Sequence, residues 1–228
     1  MASKLLHGNP AAAGIRLELP RAGKPVFRGP HGPVPYVARW SAEEVQDAPV
    51  VETRQGIAYA DESSVDRDEN GLLWSRVSSR PGVGEPLYRQ MHPLRQRRAM
   101  RRLLCQICAG PADRNEHGTL WLIQDQRHEW PGWPERAQNT HPPLCLRCAR
   151  IAVKACPWLK RGYVAVRARS FVSGASGGLF RTGWPRPRPV LADARTLQFG
   201  DPRLRWTQAD QLVRELVGCT YVDEILAG

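Results

Sequence analysis

Two CxxC pairs constrain this chain more than anything else in it. Cys105-Gln-Ile-Cys108 runs into Ala-Gly-Pro, and Cys145-Leu-Arg-Cys148 follows His141-Pro-Pro-Leu. A two-residue gap lets both sulfurs of a pair turn toward one point, and the small residues behind the first pair let the chain bend beneath it. Four thiolates form a closed tetrahedral set with no open position for a substrate water. The spacing therefore predicts structural zinc on Cys105, Cys108, Cys145 and Cys148. A redox pair or a disulfide clamp is written with the same letters, but two matched pairs in a reduced protein favour the metal. His141 is expected to remain outside the ligand set, and Cys156 and Cys219 to pack as buried thiols. The 36 residues between the pairs (109–144) exceed what a compact ribbon needs, so this loop carries structure of its own.

At 228 residues the chain has room for one large domain or two small ones. The stretch Met1–Pro10 has no apolar run of signal-peptide length, and no segment reaches the roughly 18 apolar residues of a membrane span. The expectation is a cytoplasmic protein without membrane contact. Its net charge of +11 is unevenly placed. Residues 1–90 hold 11 basic and 11 acidic side chains, whereas residues 91–228 hold 22 and 11. Between Glu135 and Asp193 there are 11 basic residues and no acidic one. Arg outnumbers Lys 29 to 4, which a GC-rich genome explains, but codon bias does not explain the segregation. An anionic partner for the second half follows, nucleic acid before membrane.

Residues 1–90 read as a near-neutral, β-rich region. Strands are expected at Gly14–Leu19, Gly56–Ala60 and Leu72–Val77, with a short helix opened by the capping box Ser41-x-x-Glu44. Residues 91–172 read as a basic helix joined to a zinc-ribbon-like domain. Pro93 suits a first helical position, and at 100° per residue Arg95, Arg97, Arg98, Arg101 and Arg102 share an arc about 160° wide. Ala99, Met100, Leu103 and Leu104 occupy the other side. Five outward guanidiniums with no Glu at i±4 predict phosphate contacts, against the plain alternative of a solvated basic face. Leu120–Ile123 reads as a strand, with Trp130 and Trp133 covering the zinc site or the core. Ala149–Ala155 reads as a helix. Tyr163–Val172 alternates as a strand whose odd face mixes Tyr163 and Phe171 with Arg167 and Arg169, an arrangement that suits stacked bases and phosphates.

Residues 173–190 read as a Gly/Pro-rich linker, a hinge over Ser173–Gly178 followed by a stiff basic arm bearing Arg186 and Arg188. Residues 191–228 read as a small α/β segment, with a helix opened by the capping box Thr207-x-x-Asp210 and running through Leu216-Val217. An internal echo also stands out. Asp66–Trp74 recurs as Asp113–Trp121, with six of nine positions identical at an offset of 47. A convergent hairpin, turned at a Gly and followed by a buried Trp, accounts for it more simply than a duplication.

Asn139-Thr-His141-Pro-Pro-Leu-Cys145-Leu-Arg-Cys148 resembles the back half of an HNH nuclease built on a zinc knuckle. That resemblance implies a catalytic His after the first CxxC and His or Asn after the last Cys. Asp113-Arg-Asn115 and Ala149 stand at those places instead. Arg95 to Cys108 and His141 to Cys148 resemble uncharacterised actinobacterial proteins with an Arg-rich lead-in to paired CxxC motifs, which implies the zinc site and no activity. The expectation is an α+β protein, a short-stranded β-rich part plus a zinc-ribbon-like module with short helices. Its expected function is non-enzymatic, zinc-stabilised binding of nucleic acid, DNA ahead of RNA, in a regulatory role. The expected phosphate contacts are Arg95, Arg97, Arg98, Arg101, Arg102, Arg167, Arg169, Arg186 and Arg188. The alternatives are an adaptor with an acidic protein partner and, behind it, a divergent HNH-type nuclease.

Overall fold

A computed structural model describes residues 27–29, 32–183, 186–222 and 225. The fold is α+β and strand-rich. The elements run β1 (Phe27–Gly29), β2 (Gly32–Val34), β3 (Ala38–Trp40), β4 (Val50–Thr53), β5 (Gly56–Tyr59), β6 (Leu73–Trp74), β7 (Pro86–Met91) and α1 (Pro93–Arg102). There follow β8 (Arg114–Asn115), β9 (Gly118–Gln124), β10 (Gln138–Asn139), α2 (Leu146–Ala155), β11 (Tyr163–Gly183), β12 (Arg186–Gln198) and β13 (Thr207–Tyr221). The strand expected at Gly14–Leu19 lies outside the described residues. Among the described residues, no helix is long and apolar enough to cross a membrane.

The principal sheet is ordered β10-β13-β11-β9-β8, with β12 also on β11 and β6 also on β13. Its middle is buried on both faces. Along β9, Trp121 and Ile123 enter a central core with Val164, Val166, Met100 and Leu212, whereas Leu120 and Leu122 enter a second core with Ala165, the CxxC cysteines and α2. β9 and β11 thus form a wall between two apolar clusters, so Leu120–Ile123 is apolar without a break, and the odd face of Tyr163–Val172, expected to be wet, is covered at Ala165 and Arg167. Trp133 belongs to the central core and not to the cysteine side.

The linker expected over residues 173–190 is instead strand, apart from Trp184 and Pro185, which lie outside the described residues. β11 continues through Ser173–Gly178, paired with β13 from Val166↔Tyr221 to Leu179↔Thr207 and with β12 from Gly174↔Gln198 to Gly183↔Arg186. The glycines serve close approach rather than flexibility, since a Cβ on Gly177 would lie 2.1 Å from the Gln208 carbonyl oxygen. The helix expected from Thr207 is also absent, replaced by β13. Its register shifts opposite Ser176/Gly177, leaving Asp210 without a Cα partner on β11. Ala209 before the shift and Leu212 and Leu216 after it all reach the central core. That irregularity breaks the period of two and leaves an i, i+3, i+7 spacing that imitates a helix.

The outer edge of β13 is closed by three separate pieces of chain. β6 pairs in parallel at Gln208–Ala209, and β10 pairs antiparallel at Arg214–Glu215. Between them stands a side chain from α1. Gln96 accepts from the Leu212 N–H at 3.0 Å and donates to the Leu212 carbonyl at 2.8 Å, so its amide takes the place of one residue of strand. A second bond to the Thr140 carbonyl at 2.6 Å ties the same amide to the segment before Cys145.

No helix forms at Ser41–Glu44. The Ser41 hydroxyl instead accepts from the Glu85 N–H, and Glu43, the neighbour of the expected cap partner, turns inward to α1. The hairpin echo is confirmed at its turns, where Asp68 accepts from the Asn70 N–H and Asn115 from the His117 N–H, the same side-chain turn at equivalent positions. The pairing differs by one residue: Arg67 faces Leu73, whereas Arg114 faces Thr119, the counterpart of Leu72. Shared turn chemistry with unlike registers fits convergence.

Candidate functional site

α1 delivers the chain straight to the first cysteine pair. Its C-cap, Leu103, takes a left-handed φ of 49°, and Cys105 follows two residues later. The Cys105–Cys108 turn is closed by the Ala109 N–H on the Cys105 carbonyl at 2.9 Å and the Cys105 N–H on the Gly110 carbonyl at 2.7 Å. β8 and β9 then form a hairpin, and the second pair opens α2, with Cys145 as its N-cap. The second pair therefore sits on a helix start and not on a second ribbon knuckle. This helix start favours negative charge at its sulfurs. Backbone bonds from Gln106 N to Pro143 O (3.0 Å) and Asp113 N to Leu144 O (2.9 Å) lock the two halves together. Tyr36 and Val37 bond to the carbonyls of Ile107 and Gln106, so the N-terminal strands grip the first turn from outside.

The four sulfurs lie within 4.8 Å of one another, with Cys108 Sγ and Cys145 Sγ 3.9 Å apart. Four ligands at a metal–sulfur distance of about 2.3 Å around a tetrahedral ion stand roughly 3.8 Å apart, so the cluster is the right size to hold a metal ion. Cys105, Cys108 and Cys148 are buried, Cys145 is half-buried, and all four are free thiols. Mutual hydrogen bonding spreads their proton affinities. Cys105 pulls Cys108 and Cys145 down, the latter to about 6, while Cys105 and Cys148 are pushed up by Cys108 and Cys105 respectively. Sulfurs this close compete for the same protons, and a single cation replaces that competition with four bonds. His141 stays exposed outside the cluster, its backbone N–H on Asn139. Cys219 is also apart, a half-buried thiol pushed up to about 12 by burial and by Glu135.

The arginines expected to face phosphates divide sharply. Arg95 is 5% exposed and points inward, donating to both Glu43 carboxylate oxygens at 2.6 and 2.7 Å and to the Ala38 carbonyl. On the helical wheel it lies at the end of the basic arc, only about 40° from Ala99, which places it at the margin of the buried face. Arg101 is paired with Asp68 at 3.0 Å and Glu69 at 2.6 Å. Arg97 is half-buried, its Cζ 4.5 Å from the Trp74 ring centroid. Arg98 is half-buried and Arg102 exposed. The missing i±4 acids are thus supplied from elsewhere in the chain, by Glu43, Asp68 and Glu69.

Arg167 departs from expectation for a similar reason. It is buried on β11, paired with Asp113 and bonded to the Gly118 carbonyl, and it fastens the β8–β9 hairpin to the sheet. Asp113, the first residue of the echo, thus does for Arg167 what Asp66 does for Arg76. Asp113 stands where the HNH resemblance places its catalytic segment, and its carboxylate is committed to this ion pair. Arg169 and Arg188 are exposed. Arg186 falls on β12, but its side chain lies outside the described residues.

A second basic surface was not anticipated. Lys154 at the end of α2 and Lys160 and Arg161 in the turn before β11 are exposed, and Arg161 stacks on Trp158, itself 52% exposed. The signal was present in the run Lys154–Arg161, three cations around a Trp with no acid. No family model, curated protein or solved structure matches the chain.

Proposed function

We propose that the protein binds nucleic acid, DNA ahead of RNA, without catalysing a reaction, on a fold held together by zinc. Four sulfur donors with no nitrogen or oxygen ligand among them form the set that zinc takes in structural sites. The observation that carries the nucleic-acid reading is the unneutralised charge of the acid-free stretch. Lys154, Lys160, Arg169, Arg181 and Arg188 are exposed there, and among the described residues none of them meets a carboxylate. Arg98 and Arg102 extend the same condition to α1. Residues 136–192 hold 11 basic side chains and no acidic one, and self-repulsion uncompensated within one stretch marks a surface that gains from an anionic partner. Phosphates meet that need, and they position a protein without specifying sequence.

Binding of the zinc-loaded protein to duplex DNA, single-stranded DNA and RNA over a salt series tests the reading. The expected outcome is affinity that falls with salt at a log–log slope of about −3 or steeper, with Arg102→Ser reducing the slope by about one. No binding to any probe at about 50 mM salt, where screening is weak, overturns it and leaves an acidic protein partner as the better reading.

A further inference from the structure

The turn that joins α2 to β11 carries an aromatic ring that the packing of the fold does not use. Trp158 is 52% exposed, and the Arg161 guanidinium lies 4.7 Å from the centroid of its ring. A cation at that distance occupies one face of the indole and helps to hold its plane. With more than half of the residue in solvent, the opposite face is open. The turn beneath it is firmly built. The Cys156 N–H bonds to the Ala152 carbonyl at 2.8 Å, the Lys160 N–H to the Cys156 carbonyl at 3.2 Å and the Gly162 N–H to the Leu159 carbonyl at 3.2 Å, while Leu159 packs against the cysteine-side core. Lys154, Lys160 and Arg161, which flank Trp158 in the chain, are all exposed. β9 ends beside this turn, where the Asp125 N–H meets the Gly162 carbonyl, but the Asp125 carboxylate is already held by Arg127 at 2.6 Å. Trp130 is different: it is 38% exposed, its N–H donates to the Glu135 carbonyl at 3.2 Å, and its neighbours Glu129 and Glu135 are acidic.

A partner that suits this turn brings negative charge to the cations and a flat apolar face to the indole. An acidic peptide meets the cations and leaves the ring in water. A duplex brings phosphates, but each of its bases is covered by its neighbours and must be extruded before it can stack elsewhere. A single strand brings both, phosphates along its length and bases with free faces. We propose that Trp158 is a stacking platform for an unpaired nucleobase, with Lys154 and Lys160 on the adjoining phosphates, so that the protein prefers single-stranded to duplex nucleic acid. The inference rests on the nucleic-acid reading above and names the part of that surface which tells strand from duplex. Every base has a π-face, so the platform selects for an unpaired strand and not for a sequence.

The test compares a single strand of about twelve nucleotides, the same strand built from abasic units, and the corresponding duplex, all at one salt concentration. The abasic strand keeps every phosphate and loses every base. The natural strand is expected to bind about 10-fold more tightly than either comparison. Trp158→Ala brings the natural-to-abasic ratio to about one, whereas Trp158→Phe, which keeps a ring, retains most of it. Should the alanine variant fail to fold, Trp158→Met, with apolar bulk but no ring, is expected to collapse the same ratio. Lys160→Ser weakens natural and abasic strands alike and leaves their ratio unchanged. Equal binding of the natural strand and either comparison overturns the platform while leaving phosphate binding standing, and so does a ratio that survives the loss of the Trp158 ring. Absence of binding to all three overturns both readings.

Discussion

Glu43 is a carboxylate at 0% exposure, surrounded by two guanidinium bonds from Arg95 and by the N–H groups of Trp40 and Arg80. Burial alone pushes its proton affinity up, and the bonds from Arg95 and Trp40 more than reverse this, holding it below the ordinary carboxylate range. Removing one partner strands the other charge in the core. Arg95→Met should destabilise the protein by about 3–5 kcal/mol in urea denaturation, and adding Glu43→Leu should restore part of the loss. Beside this pair, burial and then the charge of Arg95 hold His92 near 4, against 6.5 when unfolded, although Glu43 pulls the other way. The unfolded chain therefore binds the proton first, so stability is full above about pH 6.5 and falls as the pH drops toward 4, by roughly 3 kcal/mol. Asp66, drawn to about 2 by Arg76, adds a further loss only below its unfolded value of 3.8. Denaturation midpoints at pH 7 and pH 5 should converge in His92→Gln; an unchanged gap would place the titration elsewhere. None of this was legible in advance, because an arginine's count and arc do not reveal which acid will fold against it.

Local elements were legible where periodicity was unbroken. α1 begins at Pro93 and buries Ala99 and Met100 as its pattern requires, but it ends at Arg102, before the Leu103 and Leu104 of its apolar arc. β5, β9 and α2 lie where their runs of apolar residues placed them. Legibility failed where one residue altered the phase, at the shift beside Asp210 in β13, and where glycines that admit a neighbouring backbone have the same composition as a hinge. It failed again at Gln96, whose letter gives no sign that its amide completes a sheet. Gln96→Leu leaves the Leu212 N–H, the Leu212 carbonyl and the Thr140 carbonyl without their partner. A loss of about 2 kcal/mol or more is expected, whereas Gln90→Leu, on an exposed stretch of β7, should stay within about 0.5 kcal/mol.

For the molecule as a whole, the wall formed by β9 and β11 couples the four-cysteine cluster to everything else. The cysteine cluster was the most legible part of the candidate site, since its spacing alone brings four sulfurs together, yet its reach was not. Leu120 and Ala165 pack against the cysteine side, and their neighbours Trp121 and Val166 pack on the other. Losing the metal should therefore loosen both cores. One zinc per chain is expected by elemental analysis. Chelation, or Cys148→Ser, should lower the midpoint of a single thermal transition and expose Trp121 to quenching. A chain that keeps its midpoint after losing the metal would show the cluster to be peripheral.

The mended edge of β13 has a consequence for how this chain survives its own synthesis. A strand of 15 residues with a bare flank is a template on which a second molecule can add a strand. Here the cover comes from residues 73–74, 96 and 138–139, all made before β13 itself. When the strand emerges, the pieces that will cap it are already present, and the interval in which its edge can recruit a neighbour is short. Variants that loosen any one of the three should betray themselves first as aggregates during refolding, at concentrations where the intact chain stays monodisperse.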